Sequence, residues 1–281
     1  MKSRTISLGA LLIAACASPA AHAQQSFRNT SAAQPSPGVS LFRQTYNFTR
    51  YGDDPTGLGR TADEFLLNTQ FAYGISKDVA VIAELPLLYR DVDSDVAGVG
   101  GHDFGQGDLH TMVKWRIWQN DTGPIDTMRL SLLAGLDWPV GEDPFGNNGW
   151  DPMIGAVFTS IQDRHGVNAA ARYKFNTNDR DDPPLTVWDG LEDTLAIDAA
   201  YLYRLAPDSY DDDSHGAWYL MAELNATYET NGDIEAMIAP GIMYEARNWV
   251  FEASIQLPLY EDLDHRPQVE YSIGIGLRYL F

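Results

Sequence analysis

Gln268-Val269-Glu270-Tyr271-Ser272-Ile273-Gly274-Ile275-Gly276-Leu277-Arg278-Tyr279-Leu280-Phe281 alternates from end to end. Val269, Tyr271, Ile273, Ile275, Leu277, Tyr279 and Phe281 fall on one face, and that face is wholly apolar. Gln268, Glu270, Ser272, Gly274, Gly276 and Arg278 fall on the other, with Leu280 its only large apolar member. A side-chain period of two is that of an extended strand with unlike faces.

The same pattern recurs upstream. Phe65, Leu67, Phe71, Tyr73 and Ile75 oppose Glu64, Asn68 and Gln70, and Val79, Val81, Ala83, Leu85, Leu87 and Tyr89 oppose Glu84 and Arg90. Leu109, Val113, Trp115 and Ile117 oppose Asp108, His110, Lys114 and Arg116. Met128, Leu130, Leu132, Leu136 and Trp138 oppose Arg129, Ser131 and Asp137. Val167, Ala169, Ala171, Tyr173 and Phe175 oppose Asn168, Arg172 and Lys174. The stretches 195–205, 218–228 and 249–259 set Asp198, Glu223 and Glu252 against apolar rows in the same way. Segments 39–50, 152–161 and 234–244 alternate less cleanly and complete about twelve strands of roughly ten residues. That length and an even count are those of a transmembrane β-barrel, and aromatic residues at the ends of the apolar rows match its interfacial girdles.

Alternation alone equally fits a soluble sandwich or barrel with its apolar face inward. Three features favour the membrane. Connectors tend to alternate between short, as at 76–78 and 245–248, and long, as at 51–63, 91–107 and 176–192. The chain carries an export signal. Its last strand ends on Phe281 with Tyr279 and Leu277 on the same face, a pattern resembling the C-terminal assembly signal read by the outer-membrane barrel assembly machinery. The expected fold is therefore all-β: a closed antiparallel transmembrane barrel with both termini periplasmic. Two connectors fit that topology poorly. Pro207–Gly216 is long for a periplasmic turn, and Glu229–Asp233 is short for an outer loop.

Lys2 and Arg4 precede an apolar run, and Ala21-His22-Ala23 is an A-x-A cleavage site, so residues 1–23 read as a signal peptide. Ile13-Ala14-Ala15-Cys16 also resembles a lipobox, which leaves lipidation of Cys16 as the alternative. Residues 24–37 are rich in Gln, Ser, Ala and Pro and read as a flexible lead-in, with the barrel spanning 38–281. No apolar run is long enough for a transmembrane helix.

Charge narrows the partners. The 281 residues carry 39 acidic against 19 basic side chains, a net of −20, which becomes −22 when Lys2 and Arg4 leave with the signal. So acidic a chain lacks the basic footprint that nucleic acid needs. The lone Cys leaves with the signal too, which removes disulfides and thiolate metal sites. Charges on the strand faces nearly balance, so the excess lies in connectors such as Asp91/Asp93/Asp95, Asp179/Asp181/Asp182 and Asp211–Asp213. These read as solvated loops, or as carboxylates bridged through divalent cations to lipopolysaccharide phosphates. None has a fixed-spacing metal pattern, and no metal or other cofactor is expected.

The polar faces define the candidate lumen. Its anionic members are Glu84, Asp108, Asp137, Asp198, Glu223, Glu252 and Glu270. Its cationic members are Lys114, Arg116, Arg129, Arg172, Lys174 and Arg278, with His110 beside Asp108. A balanced wall does not make the one-sign ring of a charge-selective pore. Across a narrow lumen it could instead form a ladder of ion pairs around a packed interior. Catalytic signatures are missing: there is no G-x-S-x-G, H-E-x-x-H or P-loop, and no compact His/Ser/Asn set of a barrel-borne phospholipase. His110 reads as a hydrogen-bonded structural histidine.

Short motifs recur in order along the strands. Tyr73-Gly74-Ile75-Ser76-Lys77-Asp78 enters a strand that contains Glu84-Leu85-Pro86-Leu87. Gly105-Gln106-Gly107-Asp108-Leu109 leads to Lys114-Trp115-Arg116, then Leu136-Asp137-Trp138-Pro139-Val140-Gly141. Pro240-Gly241-Ile242 and Gln256-Leu257-Pro258-Leu259 precede the terminal strand. From about residue 64 to 281 the chain resembles the family named for the MetA pathway of phenol degradation, outer-membrane transporters. The resemblance implies a barrel and passage of small compounds, aromatic ones included, with no catalytic residues to carry over. The expected function is a passive channel for small, aromatic or hydrophobic solutes. The alternatives are a structural or surface-binding barrel with a closed, ion-paired lumen and, more remotely, a lipid-modifying enzyme.

Overall fold

The computed structural model describes residues 25–123, 125–178, 192–210 and 215–281; the stretch read as a signal peptide, Cys16 and the acidic runs 179–182 and 211–213 lie outside them. The strands are β1 (Ser40–Gly52), β2 (Thr61–Gly74), β3 (Val79–Asp93), β4 (Gly101–Gln106), β5 (Leu109–Asp121), β6 (Thr127–Trp138) and β7 (Asp151–Gln162). They continue as β8 (His165–Lys174), β9 (Thr194–Ala206), β10 (Gly216–Glu229), β11 (Ile234–Ala246), β12 (Trp249–Asp262) and β13 (Gln268–Leu280).

Pairing is antiparallel throughout and closes on itself, since β1 pairs with both β2 and β13. β4 and β5 lie end to end along β3, whose residues 87–92 pair with 101–106 and whose residues 79–84 pair with 110–115. The wall therefore has twelve strand positions and closes on itself without an open sheet edge in lipid. The one expectation this corrects is the connector at 91–107, because part of it is β4. Both awkward connectors, at 207–216 and 229–233, keep the sides that parity gave them.

The facing of the last strand decides the medium. Ile273, Ile275 and Leu277 are 47–53% exposed, while Ser272 and Arg278 are buried. Phe65, Trp115, Ile154, Ile197 and Leu220 are likewise on the outside, and Glu64, Lys114, Asp198 and Glu223 on the inside. An apolar belt of this size would associate in water, and hydrocarbon stabilises it. Aromatic clusters mark both rims. At the end bearing both termini, Tyr244 lies between Trp218 and Trp249 with ring centroids 4.8 and 5.3 Å away. At the loop end, Trp138 and Trp150 meet at 5.0 Å, and Phe48 and Phe65 at 4.9 Å. Alternation breaks at register shifts: beside the one at Arg50/Tyr51 in the β1–β13 pairing Val269 is buried and Glu270 exposed, and beside the one at Arg116/Trp118 both Ile117 and Trp118 face outward.

Residues 25–37 correct the expectation of a flexible lead-in. Residues 25–33 lie inside the barrel, where Ser26, Phe27, Asn29, Ser31 and Ala32 are at most 4% exposed, and Ser36 and Pro37 emerge exposed. The segment returns to the wall through Gly38, whose φ of +80° makes the turn into β1 and whose N–H donates to Gly74 O at 2.9 Å.

Candidate functional site

The insert is held by two buried side chains of opposite charge on distant walls. Glu223 of β10 accepts the backbone N–H groups of Phe27, Arg28 and Asn29 at 3.1, 2.9 and 3.0 Å. Lys114 of β5 donates to the carbonyls of Ser31 and Ala33 at 2.6 and 3.1 Å. Between them Ala32 donates to Thr159 Oγ1 at 2.8 Å and accepts from Ser131 Oγ at 3.2 Å. A segment with no strand partner must satisfy its backbone somehow, and here the polar wall does so.

Apolar contacts fix the rest. Phe27 packs with Leu202, Tyr219, Met221, Met243 and Val250. Its ring lies over Gly274 and Gly276 of β13, where an added Cβ at Gly274 would stand 2.3 Å from it. The two glycines on the polar face of the terminal strand are therefore the seat of Phe27. Ala32 packs with Ile82, Met112, Leu133, Met153, Val157 and Ala170. The lumen is thus mixed rather than uniformly polar. Met112, Met153, Met221, Met237 and Met243 all face inward, a flexible and polarisable lining.

The residues expected to line the lumen divide into groups. Glu252 and Arg278, with Arg43 of β1, form a buried triad; Arg43 Nε donates to Glu252 at 2.9 Å, and Arg278 also reaches the Gln25 carbonyl at 2.6 Å. Asp198 is bound by Arg172 at 2.7 Å and Asn225 at 2.9 Å. Asp137 is bound by His110 and faces Lys174 at 3.9 Å. His110 is thus a hydrogen-bonded histidine, as expected, but its partner is Asp137. Asp108 instead accepts the N–H groups of Gly141 and Asn147 at 2.8 and 2.9 Å and fixes the β6–β7 loop.

Three others sit at the rims. Arg116 binds Asp78 of a tight turn at 3.0 Å. Arg129 reaches Thr127 at 3.1 Å near the terminus-bearing end. Glu270 is exposed at the loop end, 3.9 Å from Arg50. The anticipated ion-pair ladder is present in part: the triad, Arg172–Asp198, and Arg90–Glu64 with Nε–O 2.8 Å. Arg43, Arg90 and the insert were not among the sequence candidates. Arg43 falls in a strand whose alternation is weak, and the insert is bound through its backbone, which leaves no side-chain pattern.

Against the insert lies a chamber of about 260 Å³, lined by Arg28, Arg43, Asn47, Asn68, Gln70, Glu84, His110 and Arg172, with Phe27, Leu66 and Met112. A smaller space of about 110 Å³ separates the insert from β1–β3 and β13 near the terminus-bearing rim. Both are of a size for small solutes rather than polymers. Among the described residues no group of His, Asp and Glu side chains is arranged to hold a metal.

The family model described as "Putative MetA-pathway of phenol degradation" matches residues 65–281. No curated protein matches the sequence. Among solved structures, the COG4313 outer membrane channel from Pseudomonas putida F1 is similar with a TM-score of 0.61 at 12% identity, covering 89% of this chain and 97% of that one. The translocator domain of the autotransporter NalP from Neisseria meningitidis gives 0.47 at 12% identity over 88% and 90%. The NanC porin gives 0.47 at 12% over 85% and 98%. At these identities the likeness is one of fold.

Proposed function

The chain belongs to the family of the MetA pathway of phenol degradation, and from that premise we propose that it is a passive outer-membrane channel for small solutes, aromatic or hydrophobic ones included. The observation that carries the reading is a largely polar chamber, with Phe27, Leu66 and Met112 in its wall, inside a closed barrel whose outer face is apolar. The mixed lining suits solutes with an apolar body and few polar groups. Bilayer conductance and uptake of phenol into liposomes test it. Silence in both assays overturns it.

The insert favours one alternative, a barrel whose lumen stays closed and whose role is structural. The buried Arg43–Glu252–Arg278 triad supports it, since such a network rigidifies an interior. Under that reading the native protein and a variant lacking residues 25–37 differ sharply in conductance, with the native form inert. We assign no catalysis: His110 is committed to Asp137, and a hydrolase activity lost on His110→Ala would reverse that assignment. Leu277, Tyr279 and Phe281 point outward at the terminus-bearing rim, where the assembly machinery would read them. The acidic loops would meet lipopolysaccharide through bridging cations.

A further inference from the structure

The chamber beside the insert contains charges that make no direct ion pair among the described residues. Of its three arginines, Arg43 is paired with Glu252 and Arg172 with Asp198. Arg28 forms no ion pair among the described residues: one terminal nitrogen donates to Ser272 Oγ at 3.1 Å and its Nε has no partner. Glu223 is close, but its oxygens are taken by the backbone N–H groups. On the chamber's β2–β3 wall, Glu84 accepts from the side-chain amides of Asn68 and Gln70 and meets no cation in an ion pair. Further buried polar atoms around the same space lack partners: Arg172 Nε, Asn47 Oδ1 and Asn68 Oδ1. Buried donors and acceptors in folded proteins are nearly always satisfied, so a cluster of them around one cavity marks a place for a polar ligand. Phe27, Leu66 and Met112 add apolar surface to that space.

We infer that this chamber is a binding site for a small aromatic carboxylate that carries a hydroxyl or amino donor away from its acid group. The carboxylate meets Arg28, whose planar donors suit it, with the Arg172 guanidinium on the chamber wall as the second contact. The ring lies against Phe27, Leu66 and Met112, and the distal donor reaches Glu84. About 260 Å³ accommodates a substituted benzene ring. The assignment deepens the channel reading, on which its physiological meaning rests, by naming the solute class.

The test separates the two. Calorimetry on the purified barrel in detergent uses 4-hydroxybenzoate, 4-aminobenzoate, benzoate and phenol as probes. Bilayer conductance and liposome uptake are measured on the same preparation. The expected result is saturable one-to-one binding, at least tenfold tighter for 4-hydroxybenzoate and 4-aminobenzoate than for benzoate or phenol. Arg28→Gln, which retains the backbone bond to Glu223, weakens 4-hydroxybenzoate about tenfold or more and leaves phenol unchanged. Glu84→Gln narrows the gap between 4-hydroxybenzoate and benzoate. Equal affinity of all four probes for the native protein, or no saturable binding, overturns the site whether or not any variant folds. Conductance and uptake without binding leave the channel and remove the site; binding by a barrel that neither conducts nor takes up solute leaves the site and removes the channel.

Discussion

Glu223 sits in β10, nearly two hundred residues from the three backbone N–H groups it accepts. Hydrogen bonds to a charged group contribute about 1.5–3 kcal/mol each at most, and a buried donor left alone costs a similar amount. Glu223→Gln keeps one acceptor oxygen and turns a donor toward N–H groups that need none. The expected outcome is amide exchange at Phe27, Arg28 and Asn29 faster by at least tenfold, with the wall strands unchanged, read by hydrogen-exchange mass spectrometry. Gly274→Val acts from the opposite wall. Its side chain would occupy the space of the Phe27 ring, so the insert loses its anchor and open-channel conductance rises. Phe27→Ala removes the anchor without the clash and is expected to move conductance in the same direction.

At the scale of the connectors, charge pairs set the pH range over which the loop end is tied together. Asp233 in the β10–β11 loop accepts from the Asp264 N–H at 2.8 Å and from His265 Nδ1 at 3.0 Å. The hydrogen bond to Asp233 raises the His265 pKa. Burial would push Asp233 upward, but the bonds from Asp264 and His265 together outweigh it and lower it. A raised histidine stabilises fully below its ordinary value near 6.5 and ceases to as pH climbs through the raised value. A lowered carboxyl stabilises above its ordinary 3.8 and ceases to as pH falls through the lowered value. The tie between these loops is therefore strongest between about pH 4 and 6.5. Limited proteolysis of the loops is expected to be slowest there, and His265→Gln removes the alkaline limb. Asp54 behaves as a second latch in the β1–β2 loop. Burial opposes its charge, yet bonds from Arg60 and Thr56 hold it at about 2, so that latch survives to more acidic pH.

The strands were legible because a barrel wall imposes a period of two on every residue that crosses it, and the facing of 268–281 follows from that alone. β4 was hidden because Gly100, Gly101, Gly105 and Gly107 erase the alternation that reveals a strand. The insert was hidden for a different reason. Its recognition runs through its own N–H and C=O groups, which every sequence has, and its small polar residues look like those of a linker. Met112 and Met153 fall in the polar register, so only coordinates show that much of the inner wall is soft and apolar.

The whole barrel sets ion behaviour. Many interior charges pair with one another, while the acidic excess crowds the loops. Exposed charges act at long range only when salt is dilute, with a screening length near 10 Å at 0.1 M and about 30 Å at 0.01 M. Reversal potentials in 1 M KCl are therefore expected to show little selectivity, and those in ~0.01 M KCl a clear preference for potassium. Removing residues 25–37 is expected to enlarge the conductance step while leaving this salt dependence in place, since the loop carboxylates remain.

The seat of the insert also dictates an order of events. The residues that would emerge first after signal removal rest on β5, β6, β7, β10 and β13, so their resting place does not exist until the final strand has closed the ring. Bringing such remote pieces together carries a large entropic cost that only the completed cylinder offsets. A half-built barrel is accordingly hollow. With the N-terminus read as an export signal, the stretch that the secretion machinery handles first is expected to enter the barrel last, and biogenesis to proceed from the shell inward.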